Sequence, residues 1–167
     1  ITAAFIGHVD QGLADSFGLA FFKAQEAAGA ALPTSGTVLL SVANKSAQLA
    51  EVGKAFVEMG FLIRATKGTC AFLAEHGVHA KLINKISEGR PHIMDALVNG
   101  EIQLVINTPF GPRGATDGSE IRRTAIKYKV PYITTLAAAS AAAKGIAAAR
   151  AEADGVQSLH AYHQAID

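Results

Sequence analysis

The sequence predicts an α/β fold, a three-layer arrangement with a parallel sheet covered by helices on both faces. Three observations carry this. Strand-like and helix-like segments alternate through five β–α units after a leading helix. The strand segments are near-continuous apolar runs rather than alternating ones, as in sheets buried on both sides. The chain has 167 residues, half of them hydrophobic and 17% charged, which suffices for one domain with a sizeable core.

Residues Ile1–Asp15 show no clear pattern and are expected to form an arm. Over Ser16–Ala28, Phe17, Ala20, Phe21 and Ala24 fall on one side at helical spacing, with Ser16 as cap and Gly29 as stop. Pro33-Thr34-Ser35-Gly36 then breaks the chain, so an arm and linker helix are expected over 1–35 and the α/β domain over 36–167. Thr37–Val42 is a β-branched apolar strand, and Ser46–Met59 an amphipathic helix ending at Gly60. Phe61–Ala65 reads as the second strand, Thr69–His76 as a helix ending at Gly77, and Val78–Ile83 as a weaker third strand. His92–Asn99 is a short helix stopped by Gly100, and Ile102–Ile106 a buried strand. After a glycine-rich loop, Phe110–Gly118, come a helix over Gly118–Tyr128, a strand over Val130–Thr134 and a long Ala-rich helix over Leu136–Ala153. Val156–His160 is expected as a last edge strand.

The formal charge of +1 provides no global pull toward nucleic acid or an anionic membrane, so anion binding must be local. Arg122, Arg123, Lys127 and Lys129 lack interleaved aromatics and read as a solvated helix face. The one cysteine, Cys70, excludes a disulfide framework and points to the cytoplasm. In the first turn of a helix it reads as a small buried hydrophobe rather than an activated thiol. No apolar run reaches the length of a membrane span, and no signal peptide is visible. The chain begins at Ile1, not Met, as expected of a piece of a longer protein. Dinucleotide, P-loop, nucleophile-elbow and zinc-protease motifs are missing from the sequence. His160 and His163 read as surface residues rather than metal ligands, and His92 as the opening of a helix after Pro91.

The turn Ala65-Thr66-Lys67-Gly68-Thr69 joins an apolar strand to a helix start. Such a turn aims backbone N–H groups outward, and the helix N-terminus adds partial positive charge. With two threonines, a lysine and a glycine it is equipped as a phosphate seat; read structurally, it is a turn in which Thr69 caps the helix. In a parallel sheet, ligands sit beyond the carboxyl ends of the strands near the topological switch point. The residues there are Ser41, Asn44 and Lys45; Thr66, Lys67 and Thr69; Asn84, Lys85, Glu88 and Arg90; Asn107 and Thr108; Thr134 and Thr135. Taken singly, each has a structural explanation as a cap or a solvated side chain. Converging from several loops, cations and neutral donors with few carboxylates suit a phosphorylated small molecule.

Ala65–Thr69, Asn84–Asp95, Val105–Pro109 and Lys127–Leu136 together resemble the C-terminal allosteric domain of the carbamoyl phosphate synthetase large subunit, which has the methylglyoxal-synthase-like fold. The resemblance runs from about Asp15 to near the C-terminus. It implies a five-stranded parallel sheet in the order 3-2-1-4-5 and no catalysis or cofactor within this domain. It implies binding of UMP as inhibitor and IMP as activator, with a contribution to ornithine binding. The effector phosphate and ribose contacts implied are Thr66, Thr69, Lys85 and Asn107, with Thr108 beside them. Lys45 is the nearest match to a further family lysine, in a slightly shorter loop, and Pro109 replaces a second threonine. The implied ornithine contacts are Tyr132 and Thr134, the others belonging to a neighbouring domain. The implied partners are the rest of the large subunit and the glutaminase small subunit. The parent enzyme, a cytoplasmic ligase using ATP, Mg or Mn, and K, makes carbamoyl phosphate from glutamine or ammonia and bicarbonate for pyrimidine and arginine synthesis.

Two other functions fit such a fold. A methylglyoxal synthase removes phosphate from dihydroxyacetone phosphate and needs a carboxylate base near the phosphate. Where the synthase has Gly-Gly-Asp this chain has Gly89-Arg90-Pro91, and the synthase's later Asp-Pro pair becomes Thr108-Pro109. Asp95 is the nearest carboxylate but falls within a helix. A self-associating interaction module is the third possibility.

Overall fold

The computed structural model describes residues 17–108 and 111–164, with side chains for all of these except 112–115 and 156–164. The arm Ile1–Asp15, the cap Ser16, Pro109 and the side chains of His160 and His163 therefore lie outside the described residues.

The centre of the molecule is set by two strands with no solvent-facing side. In β1 (Thr37–Val42), Val38, Leu39 and Leu40 are fully buried, and in β4 (Leu104–Thr108) so are Leu104, Val105 and Ile106. Runs of this kind fit only between two layers of helix. The strands pair in parallel, with Val38 opposite Leu104 and Ser41 opposite Asn107. On the far side of β1 lies β2 (Leu62–Ala65), and beyond it β3, reduced to the exposed pair Lys81–Leu82. On the far side of β4 lies β5, Tyr132–Ile133. Among the described residues the sheet has five strands in the order 3-2-1-4-5, all parallel, as the resemblance implies.

One face is covered by α2 (Ala47–Glu58), α3 (Lys67–Glu75) and α6 (Leu136–Gln164). Leu49, Val52 and Phe56 of α2, Leu73 of α3, and Ala142 and Ile146 of α6 form its core against Val38, Leu40, Ile63 and Ile106. The other face is covered by α4 (Ile93–Val98) and α5 (Gly111–Lys127), with Ile93, Leu97, Ile121 and Ala125 against Leu39 and Val105. The three layers match the expected class. Arg150 of α6 donates to the Met59 carbonyl at 2.6 Å, placing a cation at the C-terminal end of α2.

Three segments differ from the sequence reading. Helix α3 starts at Lys67 with Thr66 as its N-cap residue, so Thr69 lies inside the first turn and does not cap it. The stretch expected as a glycine-rich loop is the start of α5, which runs from Gly111. Pro112 stands in its first turn, where a missing N–H leaves no hydrogen bond unmade. The expected edge strand Val156–His160 is instead a continuation of α6 to Gln164. Gly155 alone does not stop that helix, since one glycine costs only about 1 kcal/mol relative to alanine.

Residues 17–27 form a helix, α1, whose Phe21 and Phe22 pack on the first-face core. It crosses α6 at a pair of glycines. A Cβ on Gly145 would stand 2.3 Å from the Gly18 carbonyl oxygen, and one on Gly18 would stand 2.8 Å from the Gly145 nitrogen. Among the described residues no helix is long and apolar enough to cross a membrane.

The two glycines of α6 therefore predict opposite outcomes. Gly145→Ala should destabilise the fold by about 1–3 kcal/mol, because the methyl group forces α1 away from α6. Gly155→Ala, with no neighbour within 4 Å, should stabilise it by about 0.5–1 kcal/mol. Urea midpoints check both; equal midpoints for the two variants would contradict the glycine crossing.

Candidate functional site

Strand order reverses between β1 and β4, and their carboxyl ends frame a cleft of about 320 Å³. From β1 and its following loop it takes Ser41, Val42, Ala43 and Lys45; from β2 and the tip of α3, Thr66 and Gly68. Lys85 enters from beyond β3, Asn107 and Thr108 from the end of β4. Five of the effector-site residues expected from sequence, Lys45, Thr66, Lys85, Asn107 and Thr108, thus share one cleft.

The sixth, Thr69, lies directly behind it and is fully buried. Its hydroxyl accepts from the Val42 N–H at 3.2 Å, lies 3.3 Å from the Val42 carbonyl, and accepts from Thr66 Oγ1 at 3.4 Å. This ties the first turn of α3 to the end of β1. Thr66 makes no side-chain cap to the first-turn N–H groups of α3, and Thr66 and Gly68 at that helix end line the cleft. Lys45 stands beside that helix end: an ideal Cβ on Gly68 would lie 3.7 Å from Lys45 Nζ, an ordinary contact distance. Thr108 fixes the opposite wall, accepting from the Ala43 N–H through its hydroxyl at 3.0 Å and its carbonyl at 3.2 Å.

The electrostatics are one-sided at this end. Lys45 Nζ folds back on the Val42 and Ala43 carbonyls. Partial burial, and then the charge of Lys85, hold its pKa below the usual lysine value. Among the described residues neither lysine forms an ion pair with a carboxylate. Two ammonium groups, a helix N-terminus and a threonine hydroxyl converge where a dianion is the natural partner.

Other residues at the strand ends stay out. Lys67 is exposed and off the cleft lining, and Arg90 pairs with Asp95 at 3.4 Å. His92 opens α4, its N–H donating to Asp95 Oδ2 at 2.9 Å. Its buried Nδ1 lies 3.1 Å from the same oxygen but is not aligned for a hydrogen bond, so the contact is one of proximity. Cys70 is half-buried, with Sγ donating to the Ala80 carbonyl at 3.2 Å. Arg122, Arg123, Lys127 and Lys129 are exposed, as expected. Among the described residues no cluster of side chains is suited to a metal ion.

The sequence reading missed the far wall. Asp117, Gly118 and Ile121 reach the cleft from α5, the first and last four residues apart on one helix face. The signal was present in Pro112 as a helix-start residue and in that spacing, but the glycines obscured it. Asp117 is the cleft's carboxylate among the described residues.

Tyr132 and Thr134 line a different cleft, together with Gln25, Gly29 and Lys129 near the end of α1. Tyr132 also reaches back: its hydroxyl accepts from Asn107 Nδ2 at 2.9 Å and lies 3.3 Å from the Gly118 carbonyl.

Comparison with known proteins agrees with this architecture. The family model of the MGS-like domain matches residues 48–134. The chain is 49% identical over 155 residues to the carbamoyl phosphate synthase large chain of Archaeoglobus fulgidus, covering 92% of this chain and 14% of that one. It is 48% identical over 136 residues to the C-terminal section of the carbamoyl phosphate synthase large chain of Aquifex aeolicus, covering 81% and 25%. The corresponding section from Methanopyrus kandleri is 43% identical over 155 residues, covering 92% and 29%. The chain thus spans between about one seventh and under a third of these relatives. On the matched fold and sequence it belongs to the MGS-like domain family, and it is similar over most of its length to the C-terminal section of carbamoyl phosphate synthase large chains.

Proposed function

We propose that this domain is the effector-sensing part of a carbamoyl phosphate synthase large chain and binds a nucleoside monophosphate, UMP or IMP, without breaking it. The observation that carries the reading is the meeting of Lys45, Lys85, Thr66 and the α3 N-terminus at one end of a cleft that has Asn107 and Asp117 on its other walls. The cationic end fits a phosphate dianion. A carboxylate and an amide fit the hydroxyls of a ribose. The volume of about 320 Å³ is at the lower end of the range for small-molecule clefts.

The parent enzyme's ligase activity, its ATP and metal ions, the glutaminase small subunit and a cytoplasmic location belong to the same reading and rest on the similarity to large chains. So does a contribution of Tyr132 and Thr134 to ornithine binding, in the cleft beside α1. An effector site coupled to distant active sites would typically transmit about 1–3 kcal/mol, expressed only in the whole enzyme. A lyase of the methylglyoxal synthase type is the weaker reading: Asp95 is held by the His92 N–H and Arg90 and does not line the cleft.

Removing one charge-assisted phosphate contact should cost about 1.5–3 kcal/mol. Lys85→Ala should therefore weaken UMP binding about ten- to a hundredfold in calorimetry; an unchanged affinity would remove Lys85 from the site. Formation of methylglyoxal from dihydroxyacetone phosphate, lost in Asp117→Asn, would replace the sensor reading by the lyase one.

The depressed pKa of Lys45 sets a pH dependence. Below that pKa the ammonium is present with or without ligand, and binding needs no proton. As pH rises through it, the free site loses the proton that a bound phosphate favours, so affinity falls and binding takes up a proton. The alkaline loss should begin below the ordinary lysine value of 10.5, and Lys45→Arg should move it upward. Titrations in buffers of different ionisation enthalpy check this; a wild-type profile identical to that of Lys45→Arg would contradict it.

A further inference from the structure

Asn107 is a side chain whose two ends do different chemistry. It is 4% exposed, lines the effector cleft, and donates from Nδ2 to Tyr132 Oη at 2.9 Å. Its Oδ1 takes no hydrogen bond from a described residue. An amide can be turned either way, and only its partners decide which. Here the deciding partner is one step removed. The Gly118 carbonyl can only accept, so the single phenolic proton of Tyr132 goes to it, across 3.3 Å. The phenol oxygen is then left as an acceptor toward Asn107, which must present NH2 to it. The flipped amide would set Oδ1 against the phenol oxygen and compete with Gly118 for the one proton.

The geometry of the sheet makes this chain possible. Val105 pairs with Tyr132, so Asn107, two residues on, projects from the same face as the tyrosine. Helix α5 crosses that face and brings the Gly118 carbonyl within reach.

We propose that Tyr132 is a positioning residue of the effector cleft: anchored on Gly118, it holds the Asn107 amide with its carbonyl oxygen toward the ligand. Asn107 then reads hydrogen-bond donors, such as a ribose hydroxyl or a base N–H. It does not help the phosphate, whose oxygens a carbonyl repels. Tyr132 thereby contributes to preference for a nucleotide over a bare phosphate. What Asn107 reads rests on the nucleotide reading above; the hydrogen-bond chain stands without it.

The test compares UMP with inorganic phosphate on wild-type protein, Tyr132→Phe, Asn107→Ala and the double variant. Tyr132→Phe removes one hydroxyl and should weaken UMP about three- to tenfold while leaving phosphate affinity within a factor of about two. In the Asn107→Ala background the same change should cost nothing further, since Tyr132 acts through Asn107. Equal losses for UMP and phosphate, no loss, or additive losses would overturn the proposal. A wild-type protein that binds phosphate but not UMP would defeat the nucleotide reading, leaving the chain itself to a second measurement. That measurement is the NMR signal of the Asn107 side-chain NH2 in the wild-type protein. One proton should be shifted downfield and protected from exchange. Two protons at the ordinary shifts of a solvated asparagine amide, both exchanging freely, would overturn the proposal, whether or not Tyr132→Phe folds.

Discussion

The pairing of β1 with β4 is the constraint on which the rest depends. These strands are adjacent in the sheet though far apart in the chain, and both are buried on two sides. Their apolar residues bind the two helix layers to the sheet. Their last residues, Ser41 opposite Asn107 and Val42 opposite Thr108, emerge together into the one gap that the reversal of strand order leaves open. Core and cleft are therefore one structure: the register that packs Leu40 beside Ile106 also places Asn107 across from Ser41.

Hydrogen bonds then stiffen the cleft, and they include Lys45 Nζ on the Val42 and Ala43 carbonyls and Thr66 on Thr69. Thr69 and Thr108 spend their hydroxyls on the backbone at the end of β1. That leaves Thr66, the first-turn amides of α3 and the two lysines to carry the electrostatic character. Partial burial, and then the charge of Lys85, disfavour the Lys45 ammonium in the empty site, as its depressed pKa records. Under the proposed reading, an anion bound beside Lys45 would offset that cost.

What could be read from the sequence follows from what each signal depends on. The buried strands β1 and β4 were legible because burial on both faces demands a continuous apolar run, and β2 through its buried Phe61, Ile63 and Ala65, although Leu62 is exposed. Lys45, Thr66, Lys85, Asn107 and Thr108 were legible as a set because parallel strands must deliver their carboxyl-end loops to one side. The edges were less so: β3 shrinks to Lys81–Leu82, since an edge strand needs little more than one neighbour. Asp117 and Ile121 were missed because glycines at 111, 114 and 118 suggest a loop, while the helix tolerates them. The roles of Thr69 as a tie and of Tyr132 as a partner of Asn107 arise from contacts between distant segments, which no local pattern encodes.

The central claim is that the α3 N-terminus and the paired lysines seat a phosphate carried by a nucleoside. Following the backbone amide signals of Gly68 and Thr69 during separate titrations with UMP and inorganic phosphate tests it most directly. The account predicts that both ligands shift these two amides downfield, and that UMP alone also shifts Asp117 and Ile121 on the far wall. Amides of α3 that stay in place while signals elsewhere respond would contradict it.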